Sequence, residues 1–379
     1  LTKANTFTGT TTVNAGQTLV LSDGGILASS KALVVNGSFQ ISSISNSSAS
    51  IKTISGTNGA ATIILGAKNL TITDGGHDST ANSFPGVISG TGGSLTISGG
   101  TETLTGTNTY TGNTAISSGA TLSLGSGGSI SNSAHISVAG TFDIASSGGT
   151  SIMSLSGAGA VHLGNVSLTI SSASDTFSGV ISGTGTGGGI VLSTGSQTFT
   201  NTNTYTGLTT INGGTLVLSG SGSIATSSGV SLASTDSIFD IYAASSGVTV
   251  GTISGSGKIY LGSNTLTVNA ANDIYSGIIS DNDGVLVNAG GALTVGSSGG
   301  STSVLTLRGV NTYTGATTIN SGGSLLLMDS GAIAHSSGVS VAGVFDISSS
   351  TDTTSNIKNL ASSSSDASVR LGANTLKLT

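Results

Sequence analysis

Carboxylates come first among the residues that could do chemistry, because two of them held close together can hydrolyse a glycosidic bond. Asp143, Asp240 and Asp346 occupy equivalent places in the segments TFDI, IFDI and VFDI, with Gln40 at the same place in SFQI. A hydrolytic pair needs its carboxyl groups about 5–9.5 Å apart. Equivalent positions some five coils of a stacked fold apart lie roughly 24 Å apart, at ~4.8 Å per coil. Each aspartate also lacks an acidic neighbour within its strand and falls in the polar phase, opposite Phe and Ile. Solvated surface is the expectation for all three.

Other ligand-capable groups fare no better. Asp281-Asn282-Asp283-Gly284 resembles the opening of a calcium loop, but that loop closes with a glutamate at its twelfth position, and Glu102 is the only glutamate in the chain. A tight turn is expected there. Asp74, His77 and Asp78 form the densest group of ligand-capable side chains, in a Gly-Gly-centred stretch expected to protrude as a loop. His135, His162 and His335 are dispersed, with His135 and His335 at approximately matching places. GxSxG at a strand-to-helix junction is missing, since no helix is expected. The expectation is therefore no catalytic, cofactor-binding or metal-binding residue, no cofactor, and no enzymatic activity.

Aromatic residues could form a carbohydrate platform if gathered on one exposed stretch. Instead they are rationed. Phe7, Tyr110, Tyr205 and Tyr313 share one repeat position, Phe39, Phe142, Phe239 and Phe345 another, and Phe84, Phe177 and Tyr275 a third, leaving Phe199, Tyr242 and Tyr260. Core or corner packing is expected, with tyrosine hydroxyls reaching a turn or solvent. The Thr109/Thr111, Thr204/Thr206 and Thr312/Thr314 pairs recur too rarely for an ice-binding lattice, which needs a pair on nearly every coil.

These spacings belong to a tandem array. NTFTGTTTV at Asn5–Val13 returns as NTYTGNTAI at Asn108–Ile116, NTYTGLTTI at Asn203–Ile211 and NTYTGATTI at Asn311–Ile319. Between the copies recur a Phe-centred strand, an LG-centred segment such as AVHLGNVSLTI, and an SGVISG-like block. The chain thus reads as one segment of nearly four cycles, approximately 5–107, 108–202, 203–310 and 311–379, cut at both ends. Within a cycle, Leu122/Leu124, Ile136/Val138, Phe142/Ile144 and Leu168/Ile170 are apolar pairs flanking one polar residue, which is strand periodicity. Gly, Ser, Asn and Asp clusters between them supply turns.

Composition agrees. Hydrophobic residues make up 36% and charged residues only 6%, with mean hydropathy +0.32, the reverse of a disordered chain despite 61 glycines. A large globular core is not expected, because Trp is absent and the apolar residues are mostly Ile, Val, Leu and Ala. An all-β fold follows: a right-handed parallel β-helix (β-solenoid), an elongated rod of about 19 coils at very roughly 20 residues each, on the order of 90 Å long. The net charge of −6 gives no footprint for nucleic acid or anionic lipid, Cys is absent, and no apolar run is long enough for a membrane-spanning helix.

The run Asn108-Thr109-Tyr110-Thr111-Gly112, then Thr114-Ala115-Ile116 and Gly119-Ala120-Thr121-Leu122-Ser123-Leu124-Gly125, with its three counterparts, resembles the autotransporter-associated β-strand repeat of type V secreted proteins. The resemblance implies a β-helical passenger of a Gram-negative bacterium, exported to the surface or secreted through an outer-membrane β-barrel at its own C-terminus, with the repeat assisting folding and export. Together with the lack of a catalytic constellation, the reading is a non-enzymatic adhesin or adhesin stalk expected to meet a host-cell or extracellular-matrix receptor, or to self-associate. A toxin or host-signalling passenger on the same scaffold is the alternative, and a polysaccharide-degrading β-helix enzyme a more distant one.

Overall fold

The structure is a computed structural model that describes residues 1–75, 83–270, 272–282, 289–296, 302–362 and 364–379. Every element of regular structure among these residues is a β-strand, most of them three or four residues long. Strand pairing is parallel throughout, and successive coils stack to form a β-solenoid. About 17 turns are present, fewer than the 19 expected. The difference comes from coils that take more residues than others. Asn108 reaches back to Ile88, 20 residues away, whereas Asn311 reaches back to Ile279 across 32.

Leu1–Gly188 and Gly189–Thr379 form two compact units. In the first, Asn69–Ile72, Ser94–Ile97, Thr114–Ile116, Ile136–Val138 and Leu155–Gly157 stack in one sheet. Thr101–Leu104, Thr121–Leu124, Thr141–Asp143, Ala160–His162 and Val180–Ser182 stack in another. In the second unit Thr215–Leu218, Ile238–Asp240, Lys258–Tyr260 and Ile278–Ser280 form one ladder. Thr209–Ile211, Gly229–Leu232 and Thr252–Gly255 belong to a second, which continues through Ser303–Leu307, Gly323–Asp329 and Val344–Ser350.

Alternation decides which side faces inward. Leu122 and Leu124 are fully buried while Thr121 and Ser123, which alternate with them, are partly exposed, and the same phase holds in Thr215–Leu218. In-register stacking then turns each inward position into a column running along the solenoid. Leu122, Phe142, Val161 and Ile181 form one, and Leu216, Phe239, Ile259 and Ile279 its counterpart in the second unit. Leu19, Phe39, Ile63 and Ile88 repeat it in the first cycle, and Leu325 and Phe345 in the fourth. Each column sets like against like at the strand spacing, so aliphatic and Phe side chains tile a narrow core without a Trp.

One turn recurs with a fixed backbone. Gly16, Gly119, Gly214 and Gly322 lie nine residues after the aromatic residue of their nonapeptides, with φ of 74°, 79°, 78° and 77°. That left-handed conformation costs a side-chain-bearing residue roughly 1 kcal/mol, so glycine is kept at the corner.

Candidate functional site

The nonapeptide folds into a buried polar cluster. Its alternating phase turns the third, aromatic position inward, and the tyrosine hydroxyl must find a partner there. Tyr110 Oη pairs with Thr114 Oγ1 at 2.7 Å, and Thr114 Oγ1 with Ser133 Oγ of the next coil at 2.9 Å. Tyr205, Thr209 and Ser227 repeat the chain at 2.7 and 3.1 Å, and Tyr313, Thr317 and Ser336 at 2.6 and 3.0 Å. Each serine also donates to a nonapeptide glycine carbonyl: Ser133 to Gly112, Ser227 to Gly207 and Ser336 to Gly315. Burial pushes all three phenols above their ordinary range, so they stay protonated donors.

The leading asparagine completes the cluster. Asn108 is buried, donates from Nδ2 to the Gly106 and Ser129 carbonyls, and accepts the Ile88 amide of the preceding coil at 2.9 Å. Asn311 does the same with Gly309, Ala332 and Ile279. The amide side chain thus ties three successive coils, a task for which a group with both donor and acceptor is needed. The sequence expectation of tyrosine hydroxyls reaching a turn or solvent is corrected: the three nonapeptide hydroxyls end on a buried threonine. Phe7 departs from its family of positions. It has no hydroxyl and is 45% exposed, although Thr11 still meets Ser30 at 2.9 Å.

The aspartates of the FDI strands face outward as expected, and each closes a local turn. Asp143 accepts the amide of Ala145 at 3.0 Å, Asp240 that of Tyr242 at 2.8 Å and Asp346 that of Ser348 at 2.8 Å. Gln40 reaches only its neighbour Ser38. The Thr-x-Thr pairs form no lattice, since Thr111 Oγ1 accepts the Gly92 amide and Thr314 Oγ1 that of Gly290. Asp74 is exposed, while His77 and Asp78 lie outside the described residues, as do Asp283 and Gly284.

Asp281 is not part of a surface turn. Only 4% exposed, it accepts the Ala289, Gly290 and Thr314 amides at 3.0, 3.3 and 3.1 Å and the Thr314 hydroxyl at 2.5 Å. A sequence signal existed, because Asp281 stands where the other blocks end in Gly90 and Gly183. Glu102 was also missed. It lies in the inward phase of Thr101–Leu104, in register with Leu122, and is fully buried. Its Oε2 accepts the Ile54 amide at 3.4 Å and its Oε1 has no partner among the described residues. Burial, opposed only weakly by that amide, holds its carboxyl well above the usual carboxylate range. Gln197 and Leu305 fill the equivalent inward slot and are buried too.

The histidines separate. His135 Nε2 lies 3.3 Å from Asp175 Oδ2, which also accepts the hydroxyls of Ser154 and Ser174. A serine, a histidine and an aspartate therefore meet across successive coils, which dispersed sequence positions did not reveal. Their order is wrong for nucleophilic catalysis: Ser154 donates to the carboxylate, not to the imidazole that would have to remove its proton. His162 is exposed, in register with Asp143. His335 does not match His135. Thr114 bonds the His135 carbonyl and Thr317 that of Gly338, so Gly338 is the true counterpart. Among the described residues no three His, Cys, Asp or Glu side chains gather around one point fit for a metal ion.

Stacked parallel coils with a buried tyrosine–threonine–serine cluster in three of the four cycles define a repeat-built β-solenoid. The passenger-associated-transport-repeat family matches four times, at residues 1–21, 98–124, 192–218 and 301–327. No curated protein and no solved structure matches the chain. The matched stretches hold the nonapeptides and the strand that follows each, so the chain carries four passenger-associated-transport repeats, a repeat of autotransporter passengers, which as a class are secreted or displayed at the cell surface by type V export.

Proposed function

We propose that this passenger is adhesive: its outer faces attach the bacterium to host-cell or extracellular-matrix receptors, or join copies of the chain. The observation that supports it most is the division between inside and outside. Asn108, Tyr110 and Thr114, and their counterparts around Tyr205 and Tyr313, are all at most 1% exposed. The outward positions change from cycle to cycle: Asp143 stacks on His162, Asp240 on Tyr260 and Asp346 on Arg370. A constant interior with a changing exterior is what a scaffold for surface contact requires. The outer faces are rich in Ser, Thr and Asn and poor in charge, so little repulsion opposes close approach.

The repeats themselves would serve folding and export, with the chain's own C-terminal outer-membrane β-barrel as the route. Each cluster uses groups from neighbouring coils alone, so one coil can close as soon as the next arrives. Incubation of the purified segment with host cells, matrix proteins and itself at micromolar concentration tests the adhesive role. Saturable attachment to any of them is expected. Altered host-cell behaviour without attachment would favour a toxin, and turnover of a glycan would overturn the non-enzymatic reading.

A further inference from the structure

Three aromatic residues fall outside the repeated positions, and two of them, Tyr242 and Tyr260, share one face of the second unit. Ile238–Asp240, Lys258–Tyr260 and Ile278–Ser280 stack in register, so Lys258 adjoins Ile278 and Tyr260 adjoins Asp240. Tyr242 follows at the corner, its amide held by the Asp240 carboxylate. Its side chain lies against Gly262 of the next coil, two residues beyond Tyr260: a Cβ on Gly262 would come within 2.9 Å of the ring. The ring is thus backed by main chain and still 58% exposed.

Packing does not require a tyrosine there. The residue over the corresponding glycine is Ser42 over Gly66, Ala145 over Gly164 and Ser348 over Gly372. The register partner equivalent to Tyr260 is Ile64, His162 or Arg370 in the other cycles. Lys258 replaces Thr62, Ala160 and Ser368. Only the third cycle therefore places two phenol rings, a carboxylate and an ammonium group on one outward face.

We infer that this face binds a saccharide chain, a ligand class that rests on the adhesive reading above. An exposed ring fixed against backbone stacks on the C–H face of a sugar, while its hydroxyl and the neighbouring polar groups bond the sugar hydroxyls. Asp240 and Lys258 carry opposite charges, so the face has no bias toward an anionic polymer. Its extent argues against a protein partner. Two coils at ~4.8 Å spacing offer far less than the ~800 Å² per partner of a stable protein interface. The surface is open along the stack, which suits internal units of an extended chain.

The test compares the wild-type protein with a Tyr242→Ser/Tyr260→His variant, which borrows the residues of positions 42 and 162 and is expected to keep its melting temperature. Both are applied to a printed glycan array, and the hexasaccharides selected are titrated by calorimetry. At least one glycan should bind the wild type and lose about tenfold or more in affinity in the variant. No glycan bound, or equal affinity in the two proteins, overturns the proposal. So does a variant that loses self-association or binding to a matrix protein while glycan binding is unchanged. Cell attachment measured in parallel separates the two readings. Glycan binding without attachment removes only the adhesive role, whereas attachment with no glycan bound removes only the saccharide face.

Discussion

The turn on which the nonapeptide stacks is built in two ways. After Val87–Ser89 it is short, Gly90-Thr91-Gly92-Gly93, and the Thr111 amide bonds the Gly90 carbonyl at 3.0 Å. After Ile278–Ser280 the path from Asp281 to Gly291 is longer, and the Thr314 amide bonds Asp281 Oδ1 at 3.1 Å instead. The rest is held constant: Gly112 bonds Gly93 and Gly315 bonds Gly291, each at 2.8 Å. In both turns the threonine hydroxyl also accepts a glycine amide, from Gly92 or Gly290. The solenoid thus requires an acceptor at one point, not a particular residue. A side-chain carboxylate replaces a backbone carbonyl where more residues separate the strand from the glycine pair, and the threonine amide keeps an acceptor in both.

That equivalence can be broken at its most loaded point. Asp281→Ala strips the acceptor from three amides and a hydroxyl in a buried site and should cost about 3 kcal/mol of stability. Chemical denaturation should show it, with Asp281→Asn losing less because one oxygen remains.

A second comparison sets Glu102 against Leu305, which fill the same slot. Glu102→Leu should raise stability by about 2 kcal/mol, since it replaces a buried, half-satisfied polar group with the side chain the last cycle uses. The sign of the pH effect follows from the raised carboxyl. Below the ordinary value of 4.5 the group is protonated in folded and unfolded chains alike. Above it only the folded chain holds the proton, so stability falls as pH rises until the folded group ionises. Glu102→Gln should flatten that part of the profile in denaturation midpoints measured across pH.

Smaller effects probe the tyrosine cluster. Tyr110→Phe removes one hydroxyl but leaves Thr114 paired with Ser133, so a loss of about 1 kcal/mol is expected from thermal unfolding. Phe7→Tyr should change stability by less than about 0.5 kcal/mol, because that ring is already half in solvent. A large gain there would mean that the first cycle builds the same cluster as the others.

Much of this architecture was legible in the residues. The fourfold NTYTG-like run, the alternation in segments such as Thr121–Leu124 and the shortage of charge led to a stacked all-β fold, and the family match agrees with the resemblance those residues carry. The outward aspartates of the FDI strands were also legible, since period two places them opposite Phe142, Phe239 and Phe345. His135 beside Ser154 and Asp175 was not, because it depends on how many residues each coil takes, and loops make that number vary.

The sequence by itself therefore determined the period, the inward and outward phases and the class of fold, because alternation and recurrence are local properties of the chain. Tertiary stacking alone decided which residues from different coils meet. It gave Tyr110 a buried threonine and serine, made Asp281 a surrogate carbonyl and enclosed Glu102 in a core column. It also laid Tyr242 against Gly262. The physical reason is that every one of these contacts runs along the stack, perpendicular to the chain, where register between coils sets the neighbours and sequence adjacency does not.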